Sequence, residues 1–110
     1  MASDKKDKTE LQPITDIDRV IHEPARFMIM ACLYVVESAD FLFLMRQTEL
    51  TRGNLSSHLS KLEEVAYVQI IKEFVDKIPR TLLRLTSKGR KAFRAYRQNM
   101  KQVLDDLPEK

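Results

Sequence analysis

The stretch Leu50–Glu64 constrains this chain more than any other. Leu55, Leu59 and Leu62 recur at i, i+4 and i+7, which puts them on one face of a 3.6-residue helix and demands a core beneath them. The opposite face carries Arg52, Asn54, Ser57, His58 and Lys61, short or basic hydrogen-bonding groups instead of the Glu/Lys/Ala mix that merely solvates a helix. Thr51 is predicted to be the N-cap, its hydroxyl accepting from an orphaned backbone N–H. Gly53 costs about 1 kcal/mol of helix propensity relative to Ala, but it leaves room for another backbone, a phosphate among the candidates. Such a helix offers amides and hydroxyls to base edges, an Arg able to fork onto guanine, and a positive N-terminal dipole for a phosphate oxygen. These are the requirements of a DNA recognition helix, here placed at residues 51–64. The competing reading is a solvated helix whose serines face water, and the residues downstream decide between the two.

At 110 residues the chain is one domain, long enough for a core but short for a deep catalytic cleft. Two Gly and four Pro favour helices over a sheet-rich fold with many tight turns. No apolar run approaches the ~20 residues of a membrane span, and Met1–Glu10 is polar, so a cytoplasmic protein with no membrane partner is expected. One cysteine excludes an intrachain disulfide; with two histidines as the other soft ligands, no structural metal or cofactor is expected. Cys32 sits in the apolar run Phe27–Val36 and reads as a buried, inert thiol. The net charge of +3 is unevenly spread. Residues 1–50 hold six Lys/Arg against nine Asp/Glu, whereas residues 51–110 hold thirteen against seven. Positive charge therefore starts at the polar-faced helix and runs on, which favours a polyanionic partner.

Residues 1–13 are polar, without apolar period, and read as a disordered tail before a domain over 14–110. Ile14, Ile17, Val20 and Ile21 suggest a short helix stopped by Pro24. Pro24 suits the first turn of the next helix, Ala25 to about Glu37, which is apolar nearly all round and is expected to be the buried centre. His22, between these helices, reads as a local hydrogen-bonding or capping residue. Ser38–Asp40 reads as a linker, with Asp40 able to cap a third helix, Phe41 to about Thr48. Its apolar residues exceed what one stripe needs, so some are expected to meet a partner. This helix followed by Leu50–Glu64 is a helix-turn-helix arrangement. Tyr67–Phe74 and Thr81–Leu85 read as two strands joined by a charged turn, so that a wing occupies residues 75–81. Lys77 and Arg80 on that wing can reach phosphate backbone or minor groove. Finally, Thr86 or Ser87 caps a helix to about Leu107. Phe93, Tyr96, Met100, Val103 and Leu107 recur along it in an a/d stripe longer than so small a domain can cover. The stripe at about 87–107, with Ile14, Ile17 and Ile21, predicts a homodimer interface, packing within the chain being the other use of the same residues. The fold class is thus mainly α with a small β-hairpin: a winged helix-turn-helix with N- and C-terminal dimerisation helices.

Three segments carry a family likeness: Ile21–Arg26, Leu50–Glu64, and Pro79–Thr81 with Leu85–Arg90. On these, and on their spacing over residues 14–105, the chain resembles small one-domain archaeal and bacterial winged-helix transcriptional regulators of the MarR and ArsR kind. The resemblance implies a homodimer binding double-stranded DNA, with recognition helices in successive major grooves and wings on the flanks. It matches Thr51, Arg52, Asn54, Ser57, His58 and Lys61 to recognition-helix positions and Lys77, Arg80 and Thr81 to the wing. Two positions depart from it: Glu49 and Ala66 stand where such proteins commonly have Gly, and each costs on the order of 1 kcal/mol if its φ must be positive. The clustered Cys and His of arsenical-type metal sensors are missing, so metal sensing does not carry over. The sequence leaves open whether a small-molecule effector binds between the helices of the dimer.

An enzyme would need a nucleophile with a base, a carboxylate pair or a phosphate-cradling Gly loop, and no such signature is visible. Ser57 and His58 are helix neighbours pointing about 100° apart, so they do not form a catalytic pair. The alternative function is a winged helix used for protein docking in a transcription or repair complex. Leu42 and Phe43 speak for it; the basic half and the Asn/Ser/His face speak against it.

Overall fold

The computed structural model describes residues 14–109. The predicted tail at 1–13 lies outside the described residues. In order the elements are α1 (Pro24–Val36), β1 (Ser38–Asp40), α2 (Phe41–Thr48), α3 (Arg52–Glu64), β2 (Val68–Val75), β3 (Ile78–Leu85) and α4 (Ser87–Asp106).

Side-chain caps start each helix. Glu23 accepts from the backbone N–H groups of Ala25 and Arg26, both at 3.1 Å, with Pro24 at the first helical position where its missing N–H costs nothing. Burial would raise the Glu23 carboxyl. These two hydrogen bonds and the nearby His58 and Arg26 outweigh it and hold the group below its usual value. Asp40 accepts from Phe43 N–H at 2.7 Å, Thr51 from Asn54 N–H at 3.2 Å and Thr86 from Gly89 N–H at 2.9 Å.

Ile14–Ile21 does not form the predicted helix. Only Ile14 and Thr15 are helical among its residues, and turns follow. The cause is Asp18, whose carboxylate accepts from Val20 N–H at 2.9 Å and Ile21 N–H at 3.2 Å, offering the backbone partners that a helix would otherwise supply. The Tyr67 hydroxyl donates to the same carboxylate at 2.5 Å, tying this segment to the turn after α3. His22 bonds through Nδ1 to the Tyr96 hydroxyl at 2.9 Å, a partner far away in sequence.

The predicted linker at Ser38–Asp40 is a strand. It pairs antiparallel with β3 (Ser38 with Arg84, Ala39 with Leu83, Asp40 with Leu82), giving a sheet in the order β1-β3-β2. Three residues are too few to show an alternation, so only the free edge of β3 reveals this pairing. The wing also differs from expectation. β3 begins at Ile78, and the turn is the two residues Asp76 and Lys77, with φ 51° and 66°. Positive φ at both positions matches the right-handed twist of the strands. Pro79 is tolerated inside β3 because it pairs with Phe74 one step from the turn. At such a pair the missing N–H would point away from β2, and β1 does not extend that far.

The core comprises Ile21, Ile29, Met30, Leu33, Leu44, Leu55, Leu59, Leu62, Val68, Leu83 and Tyr96, all buried. Each of the three α3 leucines contributes about 1.5–3 kcal/mol by its burial. α1, however, is not covered on all sides. Ala25, Ile29, Met30 and Leu33 face inward, while Val35 is 80% exposed and Phe27, Met28 and Val36 remain partly in solvent. Cys32 is half-buried, and burial pushes its thiol up.

Candidate nucleic-acid interface

The turn that presents α3 is short and tightly bonded. Thr48 is buried; its hydroxyl donates to Leu44 C=O at 2.7 Å and accepts from Leu50 N–H at 3.4 Å. Glu49 caps α2 in the left-handed region at φ 58°, its N–H reaching Met45 C=O. After α3, Ala66 also has positive φ, 63°. Ala66 N–H bonds to Glu63 C=O and Tyr67 N–H to Leu62 C=O, both at 2.9 Å, a Schellman closure that usually has Gly at the left-handed position. Glu49 and Ala66 thus take the conformations that glycine would take, and the helix keeps its place between them. Gly89 is where glycine is indispensable: a Cβ there would lie 2.0 Å from Tyr67 C=O. Thr86 bonds to the same carbonyl through its N–H at 3.0 Å, so the start of α4 is pressed onto the end of α3.

The predicted side chains of α3 do not share one face. Thr51, Arg52, Asn54, Ser57 and Lys61 are exposed. Arg52 lines the groove shared with the hairpin and lies over the start of α2, its guanidinium carbon 5.3 Å from the centre of the Phe41 ring. Asn54 and Lys61 lie on the other flank, with Ser57 between the two. His58 is half-buried and turned toward the start of α1, with Nδ1 3.2 Å from Arg26 Nη1 and 3.4 Å from Glu23 Oε2. A neutral ring accepts there from Arg26; a protonated one donates to Glu23. Arg26 is held in turn by donating from Nε to Val20 C=O at 2.6 Å. His58 is therefore anchored to α1 rather than carried on the outermost ridge.

Between α3 and the hairpin runs a groove of about 850 Å³. Arg52, Ser56 and Ser60 line its α3 wall and Lys72, Arg80 and Thr81 its hairpin wall. Arg80 and Thr81, predicted for the wing, are strand residues opposite Glu73 and Lys72, whereas Lys77 stands at the turn. Ser56, Ser60 and Lys72 were not singled out from the sequence. A finer placement of Ser56 and Ser60 about 100° and 140° round the helix from Leu55 would have found them. Lys72 shows itself only once the register pairs it with Thr81.

The predicted dimer residues divide in two. Ile21 and Tyr96 are buried within the chain, and Ile17 and Phe93 pack against the same core. Phe93 lies 6.0 Å from the Phe27 ring and 5.3 Å from that of Tyr34. Ile21 and Tyr96 thus serve the core of the chain itself. Ile14, Leu104 and Leu107 are exposed, and Met100 and Val103 partly so. A second groove, about 630 Å³ and almost wholly apolar, runs between α1 and α4 past Phe27, Val35, Met100 and Leu104. Of the residues proposed for protein docking, Phe43 packs on the core and Leu42 alone is free. Among the described residues, no helix is long and apolar enough to cross a membrane.

A recognition-type helix held between two bonded turns, flanked by a two-stranded wing, defines a winged helix-turn-helix protein. The family of winged helix DNA-binding domains matches residues 25–104, and the chain belongs to it. An uncharacterised protein of Methanocaldococcus jannaschii is 35% identical over 89 residues, 81% of this chain and 97% of that one. A solved transcriptional regulator homologue from Pyrococcus horikoshii superposes with a TM-score of 0.80 at 32% identity, over 90% of this chain and 99% of that one. A MarR-family regulator from Silicibacter pomeroyi, 18% identical, shares the fold at a TM-score of 0.62, over 89% of this chain and 61% of its own. The chain is thus a small winged-helix protein with the MarR-type fold.

Proposed function

We propose that the protein is a sequence-specific transcriptional regulator that binds double-stranded DNA as a homodimer, with α3 in the major groove and the wing on the flanking backbone or minor groove. The groove between α3 and the hairpin carries this reading. Both of its walls bear cationic or hydroxyl side chains, the three cations Arg52, Lys72 and Arg80 outnumbering the carboxylates of Asp40 and Asp76, and Arg52 stands at the first turn of α3, where the helix dipole adds to its charge. Thr51, Asn54, Ser57 and Lys61 are assigned to bases and phosphates of the major groove, with His58 holding the helix to α1. Lys77, Arg80 and Thr81, joined by Ser56, Ser60 and Lys72, are assigned to the backbone alongside. One such module covers too little DNA for tight specific binding, so two copies are required. Ile14, Phe27, Val35, Met100, Val103, Leu104 and Leu107 offer the apolar surface for a two-fold contact, with half-sites about 10 base pairs apart.

A duplex titration against salt tests the DNA reading. Arg52→Ala is expected to cost about 1–3 kcal/mol on the preferred duplex and to relax base preference, whereas Lys77→Ala with Arg80→Ala lowers affinity on every sequence and flattens the salt slope by about 1 per lost phosphate contact. Salt-independent binding, or none, would refute it. Sedimentation tests the dimer. Leu104→Asp with Leu107→Asp touches exposed residues and should give a folded monomer with much weaker specific binding; a wild-type monomer at micromolar concentration would refute the dimer.

A further inference from the structure

The tip of the wing is apolar where a hairpin has no core to serve. Phe74 is 75% exposed, Ile78 66% and Val75 39%. Phe74 pairs with Pro79 and Val75 with Ile78, and successive pairs point to opposite faces of the hairpin. The tip is therefore apolar on both sides. A hairpin that lies flat on another protein needs one apolar face; an element that enters between two surfaces needs both. Its surroundings indicate what those surfaces are. Val75, Ile78 and Pro79 also line the groove whose charged lining, Arg52, Lys72 and Arg80 against Asp40 and Asp76, is cationic on balance, so a polyanion lying there meets the tip. Lys77 caps the tip beside Asp76, and Glu73 lies opposite Arg80. These four charges cancel, and Lys72, paired with Thr81 a step further down, leaves this end of the hairpin cationic by one, which suits phosphate on either side of an inserted element, while so many charged side chains oppose burial in an apolar partner.

We propose that the wing tip is an apolar wedge that enters the minor groove beside the major-groove site, with Phe74 and Ile78 partly unstacking a base step and bending the duplex. This rests on the DNA reading above and extends it. A two-stranded ribbon is wider than the ~6 Å minor groove of B-DNA, so entry widens the groove and disturbs stacking. Flanks containing TA or CA steps open at lower cost than stiff A-tracts, so the protein prefers them without touching a base edge.

The test uses the full chain and a duplex whose centre the wild-type protein has enriched from a random pool. Its flanks carry either TA steps or A-tracts, with 2-aminopurine at the flanking step and end-labels for energy transfer. Wild-type binding should raise 2-aminopurine fluorescence and shorten the end-to-end distance, with about tenfold preference for TA flanks. Phe74→Ser with Ile78→Ser should lose all three effects while keeping the central preference and the salt slope; Phe74→Trp, which keeps the bulk, should retain them. Salt-dependent binding without a fluorescence change, or a double variant that keeps its flank preference, overturns the wedge and leaves the DNA reading intact. A change of oligomeric state in the double variant overturns it in favour of contact between copies. Failure of the wild-type chain to enrich any duplex would instead defeat the DNA reading itself.

Discussion

Gly53→Ala separates what α3 does for the fold from what it does for a ligand. Gly53 is the second residue of α3, its φ is not positive, and beyond its chain neighbours and the backbone of its own helix no heavy atom lies within 4 Å of the position a Cβ would take. Alanine therefore meets no clash in the protein and restricts the unfolded chain more than glycine does. The expected gain is about 0.5–1 kcal/mol, at the lower end because the first helical turn is the least demanding. For a domain of this size that raises the melting temperature by roughly 2–6 °C, measurable by calorimetry. The added methyl stands beside Arg52 and Asn54 at the positive end of α3, where a phosphate would approach its N–H groups. On the enriched duplex the more stable variant should consequently bind about tenfold more weakly, since a backbone-to-phosphate approach has no room for the methyl. Opposite signs for stability and affinity are the signature. A loss of stability would refute the open-space reading of Gly53, and unchanged affinity in a stabilised variant would refute the approach of DNA to this end of α3.

Gly89→Ala should act in the reverse sense: its Cβ would collide with the Tyr67 carbonyl, so α4 must shift, and chemical denaturation should show a loss of about 3 kcal/mol. Tyr67→Phe removes the hydrogen bond to Asp18 and should cost about 1–2 kcal/mol at neutral pH. Burial, with the Asp18 hydrogen bond and charge, pushes the Tyr67 phenol up from 10.0 to about 12. Because the folded value is the higher one, the stability held by the neutral phenol is complete below pH 10 and is lost as pH rises from 10 to 12. Tyr67→Phe should remove that part of the alkaline loss, and an unchanged pH profile would contradict the pairing.

Much of this structure is written in short spans of sequence. The caps Asp40, Thr51 and Thr86, the Pro24 start and the leucine period of α3 act within about seven residues, and each element they mark forms where expected. Even the positive φ of Glu49 and Ala66 follows locally, since helix-turn-helix spacing requires a left-handed residue whether or not glycine supplies it. What could not be read locally depends on partners distant in the chain. Ser38–Asp40 becomes a strand because β3 presents an edge to it, and the Ile14–Ile21 period loses to a single carboxylate that binds both its own backbone and Tyr67. Apolar spacing along α4 identifies a stripe but not its use. Packing buries Tyr96 against α1 and leaves Leu104 and Leu107 outside, because α1 is too short to cover the whole stripe. The same holds for the candidate interface: α3 lists its polar residues in sequence, but only the hairpin's position sorts Arg52, Ser56 and Ser60 into the groove and turns His58 toward Glu23 and Arg26. Helical period and capping are set by neighbours along the chain, whereas the direction a face looks is set by whatever the rest of the chain packs against it.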